Sequence, residues 1–129
     1  MAGDFLLDTN TVILLLKNDR SISLRTADAT NVFLSSVVLG ELYFGALNSR
    51  RSVQNLKHLE DFSRSFVVLP CDSNTAKIYG GIKASLKATG RPIPENDIWI
   101  AAIAIEHDLT LATRDAHFTF VPNLKTERW

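Results

Sequence analysis

The sequence predicts an α/β fold, with a central parallel sheet flanked by helices on both faces. Two observations support this prediction: short apolar runs of strand length recur along the chain, and stretches with helical signals separate them. Strands that alternate with helices in this way are typical of parallel sheets. The 129 residues, 46% hydrophobic and 22% charged, suffice for one ordinary core and are too few for two. We therefore expect residues 1–129 to form a single domain.

The predicted strands are short runs of mainly apolar residues, at 5–7, 32–34, 66–69, 110–112 and 118–121. The first run, FLL, is followed at once by Asp8. A carboxylate that is dehydrated at the end of an apolar run is costly unless a partner holds it. The position of Asp8 therefore indicates that this side chain binds something.

The first predicted helices lie between the first three strands. Residues 9–17 are mostly aliphatic, and Ser36 can cap a helix that runs to about Leu47. Residues 51–64 are polar and of mixed charge, which is typical of an exposed helix.

Two longer helices are predicted in the second half of the chain. Asp72 or Ser73 can cap the first of them, and Gly90 can end it. The second covers residues 96–107 and is almost wholly apolar over 98–105, so we expect it to be buried on most sides.

Composition excludes several classes of protein. No stretch approaches the roughly 20 apolar residues of a membrane span, and we expect a soluble, cytoplasmic protein without membrane contact. The single cysteine, Cys71, cannot form an internal disulfide, and we interpret it as a small core residue at a strand end. The net charge is zero, from 14 basic and 14 acidic residues. If four acids share one metal site, basic residues exceed acidic ones elsewhere by four, which permits modest attraction to nucleic acid.

Four acidic residues stand directly beside apolar segments: Asp8, Glu41, Asp97 and Asp115. Each alone has an ordinary structural explanation, as a helix cap, a turn residue or a solvent-facing position on a half-buried helix. Together they suggest a shared site, because parallel topology can bring strand ends and helix starts to one edge of the sheet. Four clustered carboxylates repel one another unless hard cations neutralise them, and oxygen ligands suit Mg²⁺ or Mn²⁺.

Four segments resemble the motifs of PIN-domain ribonucleases, and most closely those of the VapC toxins of bacterial toxin–antitoxin pairs. They are LLDTN, SSVVLGELYFGA, NDIWIAAIA and LATRDAHF, in the order and spacing of that family, and they span residues 6–118. The resemblance implies a single PIN-like domain with an acidic quartet that binds the metal and two polar positions beside it. The quartet is Asp8, Glu41, Asp97 and Asp115, and the polar positions are Asn10 and Thr113.

The resemblance also implies a function and partners. The expected activity is endonucleolytic cleavage of RNA, often a transfer RNA, that leaves a 5′-phosphate. The expected protein partner is a VapB-like antitoxin with a basic side chain that enters the acidic pocket. The residues themselves show no Ser-His or Cys-His arrangement and no Gly-rich phosphate loop, so we expect metal-activated water as the nucleophile. Glu41 or Asp115 is the expected proton acceptor.

Two other functions are compatible with the length and class of the chain. A phospho-relay receiver domain is disfavoured, since Asp8 has no adjacent acid and the third strand ends VVLPC. A non-catalytic regulator that retains the fold and only binds RNA or protein stays open. Among the remaining polar residues, Glu95 and Asp108 are interpreted as solvated, and His117 as a surface loop residue rather than a substrate contact.

Two surface predictions complete the sequence picture. Lys83 and Lys87 share one helical face, which is either a solvated basic face or a track for the RNA backbone. The helix after Ser36 is apolar on nearly every side apart from Glu41, so residues left over after core packing are expected to form a groove for a partner helix. These residues are drawn from Leu39, Tyr43, Phe44 and Leu47. A homodimer is also expected, and it is an alternative occupant of the same surface.

Overall fold

Five short parallel strands form one sheet in the computed structural model, which describes residues 3–129. The strands are β1 (Asp4–Leu7), β2 (Asn31–Ser35), β3 (Val67–Leu69), β4 (Thr110–Ala112) and β5 (Thr126–Glu127). The helices are α1 (Thr9–Leu16), α2 (Arg20–Asp28), α3 (Ser36–Leu47), α4 (Ser52–Ser63), α5 (Ser73–Thr89) and α6 (Glu95–Glu106). A 3₁₀ helix at Ala116–Phe120 connects β4 to β5.

The order of strands across the sheet is β3-β2-β1-β4-β5. The chain moves outward from β1 to β3 and then crosses back to β4, on the other side of β1. Since crossovers between parallel strands are right-handed, α1 to α4 lie on one face and α5 and α6 on the other. The predicted α/β fold is confirmed. Its connections leave β1 and β4 in opposite directions, which creates a crevice at their carboxyl ends where ligands bind in open α/β sheets.

The core lies around β1, β4 and α6. Leu6 and Leu7 of β1 and Leu111 of β4 are completely buried. Helix α6 is buried from Ile100 to Ala104, as its apolar sequence predicts. Its alternation of isoleucine with alanine lets neighbouring elements approach closely, and α6 packs against α5, α3 and β4.

The strand predicted at residues 118–121 is wrong. Its alternating apolar residues imitate a strand, but Asp115 caps a 3₁₀ helix there by accepting a hydrogen bond from the His117 backbone N–H. Phe118, at 1% exposure, then packs into the core. The last strand lies further on, at Thr126–Glu127, where two polar residues give no recognisable apolar signal.

Three local predictions also need correction. Helix α2 was not predicted, because Ile22 is its only buried residue and its other positions are mainly polar. The cap of α3 is Ser35 rather than Ser36, and its hydroxyl accepts a hydrogen bond from the Val38 backbone N–H. Cys71 is exposed instead of lying in the core.

Across residues 3–129, none of the helices combines the length and apolar character required to cross a membrane.

Candidate active site

The pairing of β1 with β4 brings the first of the predicted site residues together. Leu7 pairs with Ala112, so Asp8 and Thr113 follow at the same edge of the sheet. Asp8 is buried, with 4% exposure. Its Oδ1 accepts from the backbone N–H of Thr11 at 2.9 Å, which caps α1, and its Oδ2 accepts from the Thr113 hydroxyl at 2.5 Å. These two donors offset part of the cost of burying the charge.

Thr113 extends the network from Asp8 to Asp115. Its hydroxyl oxygen accepts from the Asp115 backbone N–H at 3.0 Å while its proton goes to Asp8. The Asp115 carboxylate then accepts from the backbone N–H of His117 at 3.2 Å. The predicted polar position at Thr113 therefore supports two of the four acids.

His117 joins Asp115 to Asp97. Its Nδ1 lies 2.8 Å from Oδ1 of Asp115, and its Nε2 lies 2.8 Å from Oδ2 of Asp97. One ligand atom from each of the three side chains lies within 4.8 Å of the others. The interpretation of His117 as a surface loop residue is wrong, since its side chain is 24% exposed and contacts two of the acids. A clue in the sequence is its position two residues after Asp115, on the turn that this acid caps.

Asp97 lies in the first turn of α6, although Pro94 and not Asp97 is the N-cap of the helix. Burial raises the pKa of the Asp97 carboxyl above its usual value, and the charges of Asp115 and Asp8 add to this effect. The hydrogen bond and charge of His117 oppose it. Burial, with a smaller contribution from the neighbouring negative charges, thus makes the ionised form of Asp97 less favourable.

The Glu41 side chain approaches the other three acids from helix α3. It lies in the second turn of α3, whose start is fixed by the Ser35 cap at the end of β2. Its Oε1 accepts from the Thr9 hydroxyl at 3.0 Å. Thr9 was not predicted as a site residue, and only the approach of α3 to α1 reveals its contact.

The four acids line a single cleft of about 390 Å³ at the carboxyl ends of β1 and β4. The predicted polar residue Asn10 also lines it, whereas Thr113 supports the acids from outside. The full lining is Asp8, Thr9, Asn10, Glu41, Pro94, Glu95, Asn96, Asp97, Asp115 and Phe118. The structure therefore brings together all of the carboxylates that the sequence singled out.

The chemistry of this donor set fits a hard divalent cation. Each acid has at least one hydrogen-bond donor beside it, from Thr113, Thr9 or His117. Within residues 3–129, no lysine or arginine lies within 4 Å of any of these carboxylates. A cluster of carboxylate oxygens without a lysine or arginine beside it is an environment that suits Mg²⁺ or Mn²⁺.

The basic face of α5 is partly neutralised. Lys83 forms an ion pair with Glu95, and the Tyr79 hydroxyl donates to Oε2 of Glu95 at 2.5 Å. Glu95 is exposed, but it is ion-paired rather than simply solvated. Asp108, at 90% exposure, is likewise paired with Lys125.

Comparison with known proteins identifies the family of this fold and cleft. The sequence profile of the PIN domain matches residues 5–124. The chain belongs to the PIN domain family. This PIN domain is 36% identical to Ribonuclease VapC2 of Haemophilus influenzae (strain ATCC 51907 / DSM 11121 / KW20 / Rd), over 97% of each chain. It is also 36% identical to the tRNA(fMet)-specific endonuclease VapC of Shigella flexneri, again over 97% of each chain.

A solved structure shows the same fold as this PIN domain. DNA-bound VapBC from Salmonella typhimurium contains a chain that is 33% identical, with a TM-score of 0.93 and 98% of each chain covered. The resemblance to VapC proteins that the four motifs indicate is therefore confirmed over nearly the whole length.

Proposed function

We propose that this PIN domain is a metal-dependent endoribonuclease and the toxin of a toxin–antitoxin pair. The observation that carries the proposal is the meeting of four carboxylates in one cleft, without a lysine or arginine among the described residues to neutralise them. The names of the VapC relatives, one a ribonuclease and one a tRNA(fMet)-specific endonuclease, support RNA as the substrate and transfer RNA as its class.

The chain's own residues divide the work of the site. Asp8, Glu41, Asp97 and Asp115 would hold Mg²⁺ or Mn²⁺. When bound, such an ion lowers the pKa of a water molecule and offsets negative charge on the scissile phosphodiester. Hydrogen bonds from the Thr113 hydroxyl and from the backbone N–H of Thr11 fix the orientation of Asp8. They leave its side chain little freedom to turn away from the cleft.

Glu41 is our candidate for the proton acceptor. Its Oε1 is held by Thr9, whereas no described residue donates to its Oε2. Asp115, the alternative acceptor from sequence, is held by both the ring and the backbone N–H of His117. The less constrained carboxylate is better suited to receive a proton from an attacking water molecule.

We also propose a VapB-like antitoxin as the protein partner, and a homodimer as the form of the toxin. Phe44 and Leu47 of α3, at 68% and 62% exposure, are the apolar residues left over after the core is packed. They lie on the helix that carries Glu41, so a partner seated there can reach the cleft. Solved structures of relatives as VapBC complexes support an antitoxin partner. The proposed RNA substrate supports a cytoplasmic location.

An RNA cleavage assay tests the function. Purified protein is incubated with transfer RNA in Mn²⁺, in Mg²⁺ or in EDTA, and the ends of the products are mapped. We expect cleavage with a 5′-phosphate only when the divalent ion is present. The Asp8→Asn variant should cleave at least about 100-fold more slowly, because it keeps the shape of the side chain and removes its charge.

Asp108→Asn is the matched control, since Asp108 is an exposed acid that precedes β4, at the opposite edge of the sheet. It should cleave like the wild type. Cleavage that persists in EDTA or in Asp8→Asn would contradict the metal mechanism. Tight RNA binding without cleavage under every condition would instead favour the non-catalytic regulator.

A further inference from the structure

We propose that His117 is a positioning residue, whose imidazole holds Asp97 and Asp115 at the separation needed to bind one divalent cation. The proposal rests on the proposed function, because it concerns the same cleft. It adds a residue outside the predicted acidic quartet and assigns it a role through other side chains.

The contacts of His117 are complete at both ring nitrogens. Nε2 meets Oδ2 of Asp97 at 2.8 Å, and Nδ1 meets Oδ1 of Asp115 at 2.8 Å. A third contact comes from the His117 backbone N–H, which donates to Asp115 at 3.2 Å. Asp97 and Asp115 belong to different elements, the start of α6 and the turn after β4, and this ring is the link between them.

The direction of approach separates positioning from metal ligation. Asp97 and Asp115 line the cleft, and His117 does not. The imidazole therefore reaches the carboxylates from outside the cleft and occupies one oxygen of each. The other oxygen of each acid, Oδ1 of Asp97 and Oδ2 of Asp115, is left for a cation. Groups that hydrogen-bond to metal-binding side chains orient them in this way.

The ring itself is held in place by its surroundings. Its side chain is only 24% exposed. It contacts the ring of Phe118, with centroids 4.9 Å apart, and Phe118 is buried at 1% exposure. The 3₁₀ helix capped by Asp115 fixes the backbone on which both rings stand. A fixed ring between two mutually repelling carboxylates limits their separation before any ion binds.

Three substitutions dissect the two contacts. His117→Phe keeps a ring of similar size and removes both the hydrogen bond of Nε2 to Asp97 and the close contact of Nδ1 with Asp115. His117→Gln places an amide nitrogen near the position of Nε2 and keeps the Asp97 contact, whereas His117→Asn keeps the Asp115 contact near Nδ1. Thermal unfolding in EDTA establishes that each variant is folded.

Mn²⁺ binding at constant neutral pH, measured by calorimetry and by electron paramagnetic resonance, tests the proposal without reference to activity. We expect His117→Phe to bind Mn²⁺ about 10- to 100-fold more weakly than the wild type. The Gln and Asn variants should fall between these two. Pulsed resonance spectra of the wild type should show no strong coupling to a directly bound nitrogen.

Several outcomes would overturn the proposal. Equal or tighter Mn²⁺ binding by folded His117→Phe shows that the ring does not position the acids and leaves the proposed function standing. Should that variant fail to fold, equal affinities of wild type, Gln and Asn variants lead to the same conclusion. Strong nitrogen coupling in the wild type makes His117 a ligand instead. A wild type that binds no Mn²⁺ contradicts the proposed function and, with it, this proposal.

Discussion

At the scale of single residues, the site depends on donors that keep each carboxylate in place. Asp8 shows this most clearly, because it is buried after an apolar strand and yet accepts from the backbone of Thr11 and the hydroxyl of Thr113. An unsatisfied carboxylate at this depth would be strongly destabilising. The same hydrogen bonds that permit burial also fix the direction in which the charge points.

Asp97 gives a pH-dependent prediction. Burial raises its pKa above the ordinary value of 3.8, so the folded state holds this proton more tightly than the unfolded state. Stability attributable to this group is therefore lost as pH rises from about 3.8 through the raised pKa. Asp97→Asn should raise the melting temperature in EDTA at pH 7, and the gain should shrink as pH falls toward 3.8.

Thermal unfolding in EDTA across this pH range is the measurement. Asp108→Asn is the control, because Lys125 lowers the pKa of Asp108 and its loss should bring no gain at pH 7. A stabilisation by Asp97→Asn that is equal at both ends of the range would contradict the explanation. A melting temperature of Asp97→Asn at pH 7 below that of the wild type would also contradict it.

At the scale of elements, helix starts place the acids. The cap at Ser35 fixes where α3 begins and hence which turn presents Glu41 to the cleft. Helix α6 begins after Pro94 and presents Asp97 from its first turn. The position of Glu41 is narrowly fixed because α3 follows β2 directly and has a side-chain cap, whereas α6 starts after Pro94 without one.

The exposed part of α3 carries the prediction about the antitoxin. Phe44→Glu places a charge where we expect an apolar partner helix to pack, so it should reduce co-purification of the co-expressed antitoxin by at least about tenfold. RNA cleavage by the free toxin should stay unchanged, because Phe44 does not line the cleft. Pull-down and cleavage assays measure the two effects separately.

Leu24→Glu on α2 is the matched control, as Leu24 is apolar and 60% exposed on a different helix. It should leave antitoxin binding intact. Full antitoxin binding by Phe44→Glu would place the partner elsewhere, and equal losses in both variants would indicate a general effect of added charge.

Elements with strong local signals were predictable from sequence, and elements set by tertiary contacts were not. Helix α5 has the predicted cap at Asp72 and the predicted end at Gly90, where φ is +67°. Gly90 adopts the left-handed conformation that glycine tolerates best. The apolar alternation over residues 118–121 predicts a strand, but it reflects burial of Phe118 in the 3₁₀ helix at Ala116–Phe120 rather than pairing with a sheet neighbour.

At the scale of the whole molecule, the order of strands creates the site. Asp8 and Asp115 follow β1 and β4, which are adjacent strands whose connections leave in opposite directions. The sequence predicts that these acids share an edge, because both come after strands. It does not reveal that His117 contacts Asp97 or that Thr9 contacts Glu41, since those contacts join residues 20 and 32 positions apart in the chain.

Charge is distributed unevenly over the molecule. The chain carries 14 basic and 14 acidic residues, yet five of the acids, the predicted quartet and Glu95, line one cleft. Basic residues therefore outnumber acidic ones on the rest of the chain. Because Lys83 is paired with Glu95, Lys87 of the same helix is the better candidate for contact with RNA phosphates.

Calorimetric titration of Mn²⁺ into wild type and Asp8→Asn tests most directly whether the four carboxylates form a cation site. The wild type should bind Mn²⁺, and the folded Asp8→Asn variant should bind it at least about 100-fold more weakly, because one anionic ligand at the centre of the cluster is lost. Asp108→Asn should match the wild type. Unchanged Mn²⁺ affinity in folded Asp8→Asn would contradict the account.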